Sequence, residues 1–220
     1  MNDRDRVRYE ACKRSAQIGK DYVALVPPAS IFSQKFADLD AKVTEFENST
    51  GAHDAAVGTA AQKFDLKGLG REDLIDLMTL IANAARAAEP DNPGTQARFR
   101  FNRALSDADL LAAANNFLAA SPADITLLTD WGAPTGWHLQ LNSAKTAFDT
   151  GYNAAASAQD AKVGLTAQQR DLLDQAMQIK RTLGHMVPNY FAADIAAFTA
   201  WTSAAHVEVL NGNKPTPPTP

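Results

Sequence analysis

SIFSQKFADLDAKVTEF, residues 30–46, decides the fold class. Its apolar residues Phe32, Phe36, Leu39, Val43 and Phe46 recur at three- and four-residue steps. That spacing places them on one stripe of an α-helix, whereas a strand would need alternation. Ser30 is suited to cap the start, since its hydroxyl can accept from an N–H in the first turn. The same periodicity recurs through most of the chain, and strand alternation is almost nowhere. The fold class expected is therefore all-α, a helical bundle.

Working outward, a first helix is predicted from Asp3 to about Val23, ended by Pro27 and Pro28. The helix of residues 30–46 is expected to end near Gly51 and His53. A third, with Leu74, Leu77, Met78, Ile81 and Ala85 as its apolar face, ends before Pro90, and Gly68 and Gly70 mark a kink or late start. EPDNPGTQARFRFNR (Glu89–Arg103) reads as a crossover loop. Ser106 and Ser121 open two further helices, the second with Pro122 at its first position. WGAPTG ends that helix. One helix then carries Trp137, Leu141, Ala144, Phe148 and Tyr152. Another holds Leu172, Leu173, Met177, Ile179 and Leu183 and stops around Pro188, and a last one runs from about Ala192 to Ala205.

Two stretches, 30–89 and 135–191, look alike. Leu39 and Phe46 are matched by Leu141 and Phe148, and Arg71, Leu74 and Met78 by Arg170, Leu173 and Met177, with one gap of three residues. Read as an internal repeat, each copy is an antiparallel helical hairpin, and two hairpins form a four-helix core with additional short helices. Residues 1–210 are expected to form one domain, followed by a disordered Pro/Thr-rich tail at 211–220.

Composition limits the function classes. The chain has 220 residues, 45% of them hydrophobic and 21% charged, and a net charge of −4. These values suit a soluble globular protein with no global attraction to nucleic acid or an anionic membrane. One cysteine, Cys12, excludes an intrachain disulfide. The first twenty residues lack the apolar core of a secretory leader, and the longest nearly uncharged run, 104–123, is interrupted by Asp107 and Asp109. A cytoplasmic protein that neither enters nor spans a membrane is expected.

No motif requires a particular chemistry. The Glu-x-x-His of di-metal carboxylate bundles is missing, and none of His53, His138, His185 and His206 has a second His at i+3 or i+4. Cys12 lies beside Lys13 and Arg14, which would favour its thiolate, yet it occupies an amphipathic helix where Cys behaves as a small apolar residue. No catalytic residue, cofactor or metal ligand is assigned. Arg98, Arg100 and Arg103, interleaved with Phe99 and Phe101, are the candidate nucleic-acid contacts; the basic residues of the first helix would add to them. The competing and favoured reading is a loop that buries its Phe pair while Arg reaches water. Trp131, Trp137, Tyr190 and Trp201 are the candidate ligand or interface aromatics. Trp201 is expected to anchor the last helix and His206 to stand at its end.

The opening RDRVRYEACKRSAQIG, the middle RFRFNRALSDADLLAAANNF and the ending WTSAAHVE resemble a family of bacterial all-helical proteins with no assigned function. The resemblance implies a two-hairpin all-α fold and transfers no site residue. The leading expectation is a non-enzymatic structural or interaction protein whose partner is itself or another protein. A bundle that binds a small apolar ligand is the first alternative, and a weak nucleic-acid binder through the first helix and residues 98–103 is the second.

Overall fold

The computed structural model describes residues 2–207, so the tail expected at 211–220 lies outside the described residues. Among the described residues there are seven α-helices, one 3-10 turn and no strand: an all-α helical bundle. The helices are α1 (Asp3–Asp21), α2 (Ile31–Ala88), α3 (Thr95–Arg98), α4 (Asp107–Leu118), α5 (Pro122–Asp130), α6 (Trp137–Tyr190) and α7 (Ile195–Ala205), with the 3-10 turn at Val23–Leu25.

The helix starts follow the local chemistry read from the sequence. Asn2 Oδ1 accepts from the Asp5 N–H at 2.8 Å, and Ser30 Oγ accepts from the Ser33 N–H at 3.1 Å. Ser121 and Asp124 form a reciprocal capping box, with Pro122 in the first turn. Asp194 caps α7 by accepting from the Ala197 N–H at 2.9 Å, which sets its start two to three residues later than expected.

The main departure is continuity. Where helices were expected to end near His53 and restart around Gly70, α2 continues unbroken for 58 residues. Likewise α6 runs for 54 residues through the expected gap after Tyr152, and Pro188 lies within its last turn instead of ending it. A break would strand four N–H and four C=O groups that need caps, whereas a helical glycine costs only about 1 kcal/mol relative to Ala. Neither the Gly51 region nor the Gly68–Gly70 region has a proline or a capping box to take over those groups. Staying helical is the less costly solution. The expected hairpins are therefore not folded on themselves; each stretch is one helix.

The contacts group these elements into two compact units. Unit 1 comprises residues 2–55 and 163–207, and unit 2 comprises residues 56–162. In unit 1, α1, the first part of α2, the last part of α6 and α7 enclose Cys12, Phe32, Phe36, Leu39, Met177, Leu183, Phe191 and Trp201. Phe32 and Phe36 meet edge to face with centroids 5.0 Å apart, and Trp201 stands edge-on to Phe36 at 5.8 Å. In unit 2, the rest of α2 and α6 pack with α4 and α5 around Leu74, Met78, Phe99, Phe117, Leu128, Trp137 and Phe148. The matched positions of the two similar stretches thus meet crosswise. Phe46 packs on Leu172 and Leu173 in unit 1, whereas Phe148 shares a core with Leu74 and Met78 in unit 2.

Two glycine classes follow from this packing. A Cβ on Gly19 would stand 2.4 Å from the Phe36 ring and 2.9 Å from the Phe36 Cβ, whereas one on Gly51 or Gly58 would meet nothing within 4 Å. Gly19→Ala is expected to lower stability by about 1–3 kcal/mol through overpacking. Gly58→Ala should raise it by up to about 1 kcal/mol, because only helix propensity changes. Urea unfolding of both variants checks the opposite signs.

Candidate functional site

The aromatic and basic residues singled out in the sequence do not gather into one site. Trp137 is fully buried in unit 2, its indole N–H donating to the Ile125 carbonyl at 3.4 Å. Trp201 is buried in unit 1 and anchors α7, while His206 is exposed at the helix end. Arg14 donates to the His206 carbonyl at 3.0 Å, and the buried Lys180 donates to the Ala205 carbonyl at 2.5 Å. Two cations thus meet the negative end of the α7 dipole and fasten it to α1 and α6. Trp131 is partly exposed where α5 ends, and Tyr190 stacks on Phe32 at 4.2 Å with its other side open to solvent.

Residues 98–103 serve the core of unit 2. Phe99 is buried, so its ring is withdrawn from solvent, and Phe101 packs partly buried against the same cluster. Arg98 is ion-paired with Asp124, and Arg103 bonds Asp76 at 3.1 Å; Arg100 is exposed. The Arg98 guanidinium holds the Asp124 carboxyl down to about 2, with burial opposing and the Ser121 hydroxyl and N–H assisting. Arg98 thereby secures the capping box of α5. Asp107 behaves similarly: burial pushes its pKa up, but Lys67 at 2.6 Å and Arg71 at 3.0 Å outweigh this and lower it.

The remaining candidates for chemistry are dispersed. Cys12 is fully buried, and burial pushes its thiol up to about 11 despite Lys180 and Arg8. His138 bonds the Leu118 carbonyl through Nε2 at 2.9 Å, and His185 is exposed. Among the described residues no three His, Cys, Asp or Glu side chains gather as metal ligands would.

The structure does assemble two surfaces that no sequence motif announces. The first is a cleft of about 230 Å³ in unit 1. Helix α1 contributes Asn2 and Asp5 from its first turn, and α2 contributes Phe46 and His53. Thr166, Gln169, Arg170 and Leu173 of α6 complete it, at the i, i+3, i+4, i+7 spacing of one helix face. The legible signal is a change of character along a stripe. The apolar face of α2 through Phe46 continues, without leaving the face, into Ser49 and His53. Asp5 is oriented by Arg8 at 3.5 Å, and Arg8 in turn pairs with Asp174 of α6. Gln169 reaches Thr50 Oγ1 at 3.4 Å, tying the two walls.

The second surface lies at the other end of α1, where the α1–α2 and α6–α7 connections run side by side. Tyr22 meets Phe191 at 6.2 Å and Phe32 meets Phe191 at 5.6 Å beneath them. Beside these aromatics in the chain, Val23 and Ile31 are each 66% exposed and Ile195 is 81% exposed.

Compared with family models, curated proteins and solved structures, the chain matches none.

Two measurements check these assignments. Asp124 has a depressed folded pKa, so its stabilising effect is complete above about pH 4 and is lost as pH falls towards 2. The stability gap between wild type and Asp124→Asn should therefore close over that interval in an acid-unfolding series. Cys12 should resist an exposed-thiol reagent at pH 8 in the native protein and react fully once unfolded in urea; fast native labelling would contradict its burial.

Proposed function

We propose that the protein is a non-enzymatic helical-bundle interaction protein that self-associates through the apolar end of unit 1. One observation carries this reading: the two connections at that end are almost free of charge and expose large apolar side chains. Residues 22–32 contain no Asp, Glu, Lys or Arg, and residues 187–198 contain only Asp194, in a chain with 21% charge. The Asp194 carboxylate is occupied in capping α7. An exposed apolar surface rimmed by polar residues marks an interaction site, and a second copy meets it without like-charge repulsion, as a two-fold interface requires.

The magnitudes favour a reversible dimer. Burying Val23, Ile31, Tyr190 and Ile195 from both copies contributes on the order of 10 kcal/mol, close to the roughly 4–15 kcal/mol lost in association. No described helix is long and apolar enough to cross a membrane.

Sedimentation velocity from about 10 μM to about 1 mM, the range where such weak contacts register, tests the reading. The weight-average mass should climb from 23.6 kDa towards twice that value. Ile31→Glu/Ile195→Glu should hold it at 23.6 kDa with an unchanged circular-dichroism melt. A wild-type protein that stays monomeric at the highest concentration ends the proposal.

A further inference from the structure

The cleft at the start of α1 carries opposite charges above an apolar floor. Asp5 stands on one wall and Arg170 on another, while Phe46 and Leu173 form its apolar part. Ser49 shares the α2 face of Phe46 and His53, three residues after the one and four before the other. Its hydroxyl is buried, 6% exposed, and has no hydrogen-bond partner.

We propose that this cleft binds a small zwitterion of the apolar α-amino-acid class, its ammonium on Asp5, its carboxylate on Arg170 and its side chain against Phe46 and Leu173. The charge pattern selects the class by elimination. A simple anion is repelled by Asp5, and a simple cation by Arg170. A neutral polyol would offer the Arg170 guanidinium no counter-charge. A zwitterion satisfies both.

Size agrees with this class. At about 230 Å³ the cleft is smaller than the roughly 300–1,000 Å³ sites that take drug-sized ligands. Asp5 is also pre-oriented: Arg8 bridges it to Asp174, so the acceptor does not have to be ordered on binding. The Gln169–Thr50 hydrogen bond fixes the spacing of α2 and α6 at the same place.

Isothermal titration of the full chain with L-leucine and L-phenylalanine tests the proposal. N-acetyl-L-leucine, which lacks the ammonium, and L-leucinamide, which lacks the carboxylate, serve as controls. At least one of the two amino acids should bind saturably, and each control should bind tenfold or more weakly. Asp5→Asn and Arg170→Gln should each reduce affinity tenfold or more while keeping the wild-type helical spectrum. Amide shifts on adding the amino acid should cluster at residues 2–5, 46–53 and 166–173. Absence of saturable binding by both amino acids overturns the proposal, as does equal binding of either control. Because the cleft and the apolar end of unit 1 are separate, the Ile31→Glu/Ile195→Glu variant should retain full amino-acid binding.

Discussion

Helices α2 and α6 run antiparallel so closely in unit 2 that a Cβ on Gly70 would stand 3.4 Å from the Cα of Phe148, and one on Gly151 the same distance from the Cα of Lys67. That approach constrains much of what surrounds it. With almost no side chain between the backbones at these two levels, neighbouring large residues interlock above and below. Phe148 can then share a core with Leu74 and Met78. The same antiparallel order holds in unit 1, where Phe46 packs on Leu172 and Leu173 and Thr50 meets Gln169. Each glycine costs the helix about 1 kcal/mol of propensity. The packing it permits on large apolar side chains is worth about 1.5–3 kcal/mol for each one buried, so the helices remain whole.

This balance explains how far the sequence was legible. Stripes and caps are local, and they identified the all-α class, the starts at Ser30, Ser106 and Ser121, and the burial of Leu39, Phe46, Leu74, Leu141 and Trp201. The close approach at Gly70 and Gly151 is not local. It depends on what the opposite helix presents at the same level, which no window of one helix contains. Reading Gly51 and His53 as a helix end and Gly68 and Gly70 as a kink or late start divided the continuous α2 in two.

The candidate site shows the same division. Residues 98–103 have the composition of a nucleic-acid contact, but composition does not say which way Phe99 and Phe101 face. The core of unit 2 needs aromatic volume beside Phe117 and Trp137, and it takes both rings edge-on: Phe99 lies 5.4 Å from Phe117, and Phe101 lies 5.9 Å from it. Arg98 and Arg103 then stay at the rim and pair with Asp124 and Asp76, while Arg100 is exposed. Conversely Asp5, His53 and Arg170 carry no motif, and only the register of three helices brings them to one cleft. Their trace in the sequence is an apolar stripe that turns polar while keeping its period.

The basic residues of α1 complete the argument that charge here serves arrangement. Arg8 pairs with Asp174 of α6, Lys13 with Glu47 and Lys20 with Asp40 of α2, and Arg14 with the carbonyl end of α7. Each is a partly exposed contact worth about 0–1 kcal/mol, so together they add little to stability beside the buried aromatic core. What they set is rotation and register, since each points to a different neighbour at a different level of one helix. A small shift of α1 along its axis would misalign all of them at once. That shared register keeps Asp5 over the cleft at one end of α1 and Val23 beside the aromatics at the other. The two surfaces that carry the functional reading are thus positioned by one set of contacts, of which Arg8 also orients Asp5 directly.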